Sequence, residues 1–285
     1  MSIGPAGRLY VVATPIGNLG DLSARAREIL QTVSLIAAED TRHTGVLLKH
    51  FGIQTPQVSL HDHNERQRAS DIIARLRTGA SIALVSDAGT PAISDPGFEL
   101  VRAAAAAAID IVAIPGPCAA IAALSIGGLP TQRFCFEGFL PARGPARRKH
   151  LASLARETRT LVIYESPHRV LDTLEDCATV FGETRIATVA REITKLHEIT
   201  YRGSLREHIA RARSDPDFGR GEIVLLIAGA PEPADEGALD QVLKILLAEL
   251  PLKQAARLAA QITESRDNEA YKRALQLKQE SASHS

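Results

Sequence analysis

The chain has 285 residues with 33 basic and 33 acidic side chains, so its net charge neither requires nor excludes a nucleic-acid partner. Tryptophan is absent and aromatic residues make up only 4% of the chain, which argues against a platform that stacks single-stranded bases. The three cysteines form no CxxC pair and the N-terminus lacks the layout of a signal peptide, so we expect a cytoplasmic protein with neither a zinc site nor disulfides.

The first half of the chain alternates short strands with helices. Strands are predicted at residues 9–13, 35–38, 82–85 and 111–114, and helices at 23–32, 44–51, 65–77, 98–108 and 119–126. Strands that alternate with helices imply crossover connections and a mostly parallel sheet. Gly127-Gly128-Leu129-Pro130 breaks this pattern, so we predict an N-terminal α/β domain over residues 1–129.

The second half predicts a smaller α/β domain over residues 130–230, with a more mixed sheet. Its strands are predicted at 134–139, 160–164, 186–190 and 222–228, and its helices at 147–156 and 168–180. Three further helical patterns, at 238–249, 252–263 and 268–279, predict a helical C-terminal extension over residues 238–279. The predicted fold class is therefore two-domain α/β with a helical tail.

A loop of unusual composition, SDAGTPAISDPG, runs from Ser86 to Gly97 directly after a predicted buried strand. Glycine lets backbone approach a ligand closely, and proline holds a loop in shape without one. Neither GxGxxG in this loop nor GxxxxGK[ST] anywhere is present, which argues against a nicotinamide dinucleotide and a nucleoside triphosphate. Loops of the same character follow other strands at residues 14–18, 115–118 and 164–169, and together they predict a cleft for a small molecule. For any one loop, an ordinary long connection is the alternative.

Two charged segments have open interpretations. Glu39-Asp40-Thr41-Arg42 could hold a general base or orient a ribose, or it could cap a helix with an ion pair. The segment 138–156 carries Arg143, Arg147, Arg148, Lys149 and Arg156 with no acid among them. A solvated helix face is the usual explanation of such a run, but its one-sided charge favours contact with phosphates.

The segment His61-Asp62-His63-Asn64-Glu65 has a spacing that a metal site could use. A strand that ends before Asn64, with Asn64 as a helix N-cap, is the better explanation. No distant Cys or His repeats the spacing, so we predict no metal.

The motifs closely resemble those of one methyltransferase family. The chain contains, in this order, LYVVATPIGNLGDLS, AEDTRHTGVLLKHFGI, LHDHNE, LVSDAGTPAISDPG, IPGPCAA, FEGFLP, YESPHR, REITKLHE and GEIVLLIAG. This set resembles the tetrapyrrole methylase-like superfamily and, within it, the ribosomal RNA small subunit methyltransferase I family. The resemblance implies a two-domain tetrapyrrole methylase-like fold that binds S-adenosylmethionine in the cleft between its domains. It also implies methylation of the ribose 2′-hydroxyl of a cytidine in the decoding region of 16S rRNA in the small ribosomal subunit, and a homodimer.

The same resemblance assigns residues to the cofactor. The expected contacts are Pro15, Ser86, Asp87, Ala88, Gly89, Ile93, Cys118, Ala119, Tyr164, Glu165, Ala190 and Ala228. Cys118 stands where the family more often has serine, and a thiol is the weaker hydrogen-bonding group.

Catalysis needs in-line alignment at an activated sulfonium methyl group, exclusion of water, and help for a weakly acidic ribose hydroxyl. Groups that could supply that help are Glu39, Asp40, Arg42, Glu165, His168, Arg169 and Lys195, with Glu65, His63, Arg191 and Glu192 as further candidates. Glu39 with Arg42 and His168 with Arg169 are the first choices. The alternative functions are a tetrapyrrole-type small-molecule methyltransferase and a nonenzymatic RNA-binding factor in ribosome assembly.

Overall fold

The computed structural model describes residues 7–61, 64–231, 236–263 and 265–282. The chain divides into two compact units, residues 1–229 and 230–285. The domain boundary that the sequence predicts between residues 129 and 130 falls inside the first unit, in a connection between a helix and a strand. That boundary stays a prediction.

The first sheet has five parallel strands in the order β3-β2-β4-β1-β5. They are β1 (Arg8–Val12), β2 (Leu35–Ala38), β3 (Gln57–Ser59), β4 (Ile82–Val85) and β5 (Asp110–Ile114), connected by α1 (Ala24–Thr32), α2 (Thr41–His50), α3 (Glu65–Arg77) and α4 (Phe98–Ala106) and followed by α5 (Ala119–Gly127). Strands β2 and β4 are buried at every position, as expected for strands covered on both faces. The parallel sheet confirms the prediction, although the three-residue β3 was missed because it is too short for a recognisable alternation.

The second sheet is mixed, which also confirms the prediction. Its strands β6 (Phe134–Phe139), β7 (Thr160–Glu165), β8 (Ile186–Arg191), β9 (Ile199–Ser204) and β10 (Ile223–Ile227) lie in the order β6-β7-β10-β8-β9. Only the β6–β7 pair is parallel. The helices of this half are α6 (Gly144–Ser153), α7 (Val170–Phe181) and α8 (Leu205–Ser214).

Strand ends of the second sheet lie beside the loops of the first sheet. Glu165 ends β7 opposite Ile223, which begins β10, and Ile223 in turn pairs with Arg191 at the end of β8. Apolar side chains from the first loop and from α5 share one core cluster with this sheet, among them Ile16 and Val224. The fold therefore brings strand ends of both sheets to one place.

The second compact unit consists of α9 (Glu236–Glu249), α10 (Leu252–Thr263) and α11 (Asp267–Ala282). Leucine and alanine side chains of the three helices form its core, which confirms the predicted helical pattern. Asp240 on α9 pairs through both oxygens with Arg273 on α11. Within the described ranges of both units, no helix is both long enough and apolar enough to cross a membrane.

Candidate functional site

A hollow of about 260 Å³ lies where the strand ends of the two sheets meet, and we call it the first hollow. It is mainly apolar, with a few carboxylates and hydroxyls at its edge. Its lining comprises Ile16, Ala88, Gly89, Thr90, Ile93, Ser94, Asp95, Cys118, Ala119, Phe139, Tyr164, Glu165, Ile193, Glu222, Ile223 and Val224. Its volume is close to the lower end of the range for small-molecule sites.

Two loops that line the first hollow are joined by a short β-bridge. Thr14 N donates to Gly89 O at 2.9 Å, and Gly89 N donates to Thr14 O at 3.1 Å. Gly89 has φ +85°, and a Cβ there would lie 3.3 Å from Cγ2 of Ile16. Because left-handed backbone disfavours a side chain, this position favours glycine.

The loop after β4 is held in shape by a buried carboxylate. Ala92 and Ser94 have positive φ angles of 68° and 62°, a conformation that costs free energy in residues other than glycine. Glu65 Oε1 accepts hydrogen bonds from Gly97 N at 3.0 Å and Leu100 N at 3.1 Å, and so caps α4. Glu65 therefore anchors the C-terminal end of this loop to α4.

Tyr164 and Cys118 form one wall of the first hollow. The Tyr164 hydroxyl accepts a hydrogen bond from Ala120 N at 3.2 Å, and its ring packs edge-on against Phe136 and Phe139. Burial raises the pKa of Tyr164 above its ordinary value, so the phenol is neutral at physiological pH. Cys118 is the N-cap residue of α5, and its side chain makes no capping hydrogen bond.

Glu165 is a buried carboxylate whose two oxygens both accept hydrogen bonds. Its Oε2 accepts from Thr173 Oγ1 at 2.6 Å, and its Oε1 accepts from Ser166 N at 2.7 Å. The guanidinium of Arg169 lies 3.3 Å away and also donates to Leu140 O. These contacts fix the position of the Glu165 carboxylate at the edge of the first hollow. His168, next to this pair, is exposed in the turn before α7.

Lys195 connects the second sheet to the first loop. Its Nζ lies 2.9 Å from Glu192 Oε1 and 3.2 Å from Glu222 Oε2, and its stem lies against Gly17. Burial alone would lower the pKa of Lys195, but the hydrogen bond that its Nζ donates to Glu192 and the charge of Glu222 outweigh burial and raise the pKa. Lys195 is therefore a cation at neutral pH.

The segment after β2 forms both a cap and a link to the loop after β4. Asp40 accepts from Arg42 N at 2.8 Å as the N-cap of α2 and also pairs with the Arg42 guanidinium at 2.6 Å. Hydrogen bonds from Arg42 hold the pKa of Asp40 far below its ordinary value, which makes Asp40 a weak base. Asp87 N donates to Glu39 Oε2 at 3.2 Å, and Asp40 N donates to Asp87 Oδ1 at 3.0 Å.

A second hollow, of about 300 Å³, opens between these loops and α2. Its lining comprises Thr14, Pro15, Gly17, Leu19, His43, Thr44, Val46, Leu47, Ser86 and Asp87. The structure thus divides the predicted cofactor contacts. Ala88, Gly89, Ile93, Cys118, Ala119, Tyr164 and Glu165 line the first hollow, whereas Pro15, Ser86 and Asp87 line the second. Ala190 is buried in the core behind Val224, and Ala228 follows the far end of β10.

The basic segment covers α6 and the residues on either side of it, and its basic side chains differ in exposure. Arg143 and Lys149 are exposed, and the Arg148 side chain is 47% exposed. Arg147 is placed differently from the expected surface position: its side chain is 5% exposed, and its Nε donates to Asp176 Oδ2 at 2.7 Å. The acid was not apparent in the segment because it comes from α7, where it also binds Arg148.

The described residues contain no cluster of three or more His, Cys, Asp or Glu side chains suited to a metal. His63, one of the residues weighed for such a site, lies outside the described ranges. Asn64 precedes α3, but its side chain accepts from His61 N at 2.9 Å and does not cap the helix.

Comparison with known proteins identifies the family. The family model for tetrapyrrole (corrin/porphyrin) methylases matches residues 8–209, and that for the RsmI C-terminal HTH domain matches residues 233–278. A ribosomal RNA small subunit methyltransferase I from Escherichia coli O157:H7 is 52% identical, covering 95% of this chain and 95% of the relative. The chain belongs to the ribosomal RNA small subunit methyltransferase I family. The resemblance found in the motifs is confirmed.

Membership of this family agrees with further matches. The enzyme of the same name from Pseudomonas aeruginosa is 53% identical over 95% of this chain and 98% of its own. Among solved structures, uroporphyrin-III C-methyltransferase from Thermus thermophilus, complexed with S-adenyl homocysteine, superposes with a TM-score of 0.53 at 16% identity. The match covers 78% of this chain and 97% of that one. At this identity the likeness concerns the fold, and it confirms the tetrapyrrole methylase-like architecture.

Sequence analysis missed several residues that line the two hollows. Phe139 and Glu222 lie inside the motifs FEGFLP and GEIVLLIAG, so a closer look at strand ends would have found them. His43, Thr44 and Val46 belong to α2, where no pattern in the sequence distinguishes a site residue from a helix face.

Proposed function

We propose that this chain transfers the methyl group of S-adenosylmethionine to the ribose 2′-hydroxyl of a cytidine in the decoding region of 16S rRNA, cytidine 1402 in the usual numbering. The observation that carries the proposal is the first hollow, which is lined by strand-end loops of both sheets. Family membership supports the methyl donor and the ribosomal RNA substrate.

The first hollow suits the donor in shape and charge. Apolar side chains and close backbone at Gly89 and Ala119 suit an adenosyl group, and carboxylates at Glu165 and Glu222 suit a sulfonium cation. When bound, the donor supplies a methyl group that its sulfonium has already activated. The protein then has to hold this methyl group in line with the ribose oxygen and exclude water.

Lys195 is the catalytic candidate that the geometry favours. Its Nζ binds Glu222, which lines the first hollow, and its stem lies against Gly17, which lines the second. A fixed cation in this position would stabilise negative charge that develops on the ribose oxygen as its proton leaves. Glu39 is a better candidate base than its neighbour Asp40, because hydrogen bonds from Arg42 disfavour protonation of Asp40.

For RNA contact we propose Arg143, which precedes α6, and Arg148 and Lys149 on α6, because all three residues are exposed. Arg147 takes part only indirectly, because its buried pair with Asp176 fixes the helix that carries the other three. We also propose that the protein acts as a homodimer and that its substrate is 16S rRNA in the assembled small ribosomal subunit.

Methylation of a tetrapyrrole-type small molecule is the second candidate, because the family model over residues 8–209 is named for such enzymes. One experiment separates the candidates. Mass spectrometry of 16S rRNA from cells with and without this protein should show one 2′-O-methylcytidine that disappears with the gene product. Unchanged rRNA, together with labelling of a tetrapyrrole by purified protein, would favour the alternative, and no transfer to either would favour a nonenzymatic RNA-binding factor.

A further inference from the structure

Thr44, which lines the second hollow, has a buried hydroxyl that lacks a hydrogen-bond partner in the described part of the chain. Thr44 in the first turns of α2 is 2% exposed, and its Oγ1 has no hydrogen-bond partner among the described residues. Threonine in a helix usually bonds a backbone carbonyl one turn earlier. A buried polar group without a partner costs free energy, so such a group indicates a ligand or a water molecule that completes it.

The walls around Thr44 combine apolar surface with a few polar groups. Pro15, Leu19, Val46 and Leu47 supply apolar surface. Asp87 adds a carboxylate whose Oδ1 is already positioned by the amide of Asp40. Apolar walls with a few convergent polar groups are typical of ligand sites, and carboxylates accept hydrogen bonds from the exocyclic amino group of cytosine. The volume of about 300 Å³ is enough for a single-ring base.

The two hollows are adjacent along two loops. In the first loop, Pro15 and Gly17 line the second hollow, while Ile16 between them lines the first. In the loop after β4, Asp87 lines the second hollow and Ala88 lines the first. Successive Cα atoms are about 3.8 Å apart. The two hollows therefore lie on either side of the same two loops, so the ribose of a base in the second hollow would extend past these loops toward the first hollow.

We propose that the second hollow binds the cytosine base of the nucleotide that is methylated, turned out of its stack. The Thr44 hydroxyl and the Asp87 carboxylate contact the edge of this base. Enzymes that modify nucleotides commonly extrude the target in this way and read the edge of the base with hydrogen bonds. This inference rests on the proposed function, because it assumes that a cytidine is the substrate.

The test compares Thr44→Val, which keeps the shape of the side chain but removes its hydroxyl, with Thr44→Ser, which keeps the hydroxyl. Thr32→Val, at an exposed hydroxyl that bonds within α1, is the matched control. Each variant is measured for donor affinity by calorimetry, and for kcat/KM on unmethylated small subunits with cytidine or uridine at the target position. Asp87→Asn is measured in the same way, since its amide can donate to the uracil carbonyl where the carboxylate cannot.

Thr44→Val should lower kcat/KM on cytidine subunits about fivefold to tenfold with donor affinity unchanged. Thr44→Ser should recover most of this loss because it restores the hydroxyl, and Thr32→Val should match the unmodified protein. Asp87→Asn should increase activity on uridine relative to cytidine. The inference would be overturned if Thr44→Val left kcat/KM unchanged and Asp87→Asn left the preference for cytidine over uridine unchanged. The partner of the Thr44 hydroxyl would then be a bound water molecule. Weakened donor affinity would assign the hollow to the donor instead.

Failure of the unmodified protein to methylate and failure of Thr44→Val to fold can both be distinguished from the outcomes above. If the unmodified protein methylates neither subunit, the proposed function fails and the inference with it. If Thr44→Val does not fold, Val46→Trp at the exposed mouth of the hollow replaces it, because residue 46 is 72% exposed. The bulky ring should abolish methylation of the subunit without changing donor affinity, and retained methylation would overturn the inference.

Discussion

Replacing Asp176 by alanine is expected to destabilise the first compact unit by about 3–5 kcal/mol, because it leaves the guanidinium of Arg147 buried without a counter-charge. The Arg147 and Asp176 side chains are only 5% and 10% exposed, and Asp176 accepts bonds from both Arg147 and Arg148. A charge that water cannot reach keeps its full desolvation cost when its partner is removed.

The neighbouring residue provides a matched control. Glu175 on the same helix pairs with Arg213 at 2.7 Å, but these side chains are 41% and 64% exposed, so Glu175→Ala should cost less than about 1 kcal/mol. Urea unfolding of the full chain, followed by far-ultraviolet circular dichroism, measures both variants. A loss in Asp176→Ala no greater than in Glu175→Ala would refute the structural role assigned to Arg147.

Three other predictions address the donor, the RNA and pH. Gly89→Ala should weaken donor binding measured by calorimetry, because φ of +85° disfavours a Cβ; unchanged affinity would remove this turn from the donor site. Reversing the charges of Arg143, Arg148 and Lys149 together should reduce methylation of small subunits without altering donor affinity, and equal activity at every salt concentration would exclude them from RNA contact. Burial lowers the pKa of His208 in the folded protein below its ordinary value of 6.5. The contribution of His208 to stability should therefore be fully present above pH 6.5 and be lost as the pH falls through the pKa of the folded state. His208→Gln should flatten this dependence in unfolding experiments, and an equally steep dependence in the variant would contradict it.

The strand and helix pattern was predictable where local signals were strong. Strands β2 and β4 and helix α3 begin and end where the sequence predicts, because unbroken apolar runs and helical spacing have no competing interpretation there. Strand β9 and helix α8 were missed, although Ser204 and Glu207 form a capping box that is visible in the sequence.

The site was predictable only in part because its components come from distant segments. Motifs placed Ala88, Gly89, Ala119 and Tyr164 at strand ends, and the structure brings them to one hollow. The pairing of Arg147 with Asp176 depends on how α6 and α7 pack, which no local pattern encodes. The second hollow likewise depends on the face that α2 turns toward the loops.

The most direct test of the account is a crystal of this chain soaked with S-adenosylmethionine. We predict density for an adenosyl group in the first hollow, in contact with Gly89, Ala119 and Tyr164, while the hollow beside Thr44 stays open to a base. Density for the donor beside Thr44, or a first hollow that stays empty at saturating donor, would contradict the central claim that strand ends of both sheets enclose the methyl donor.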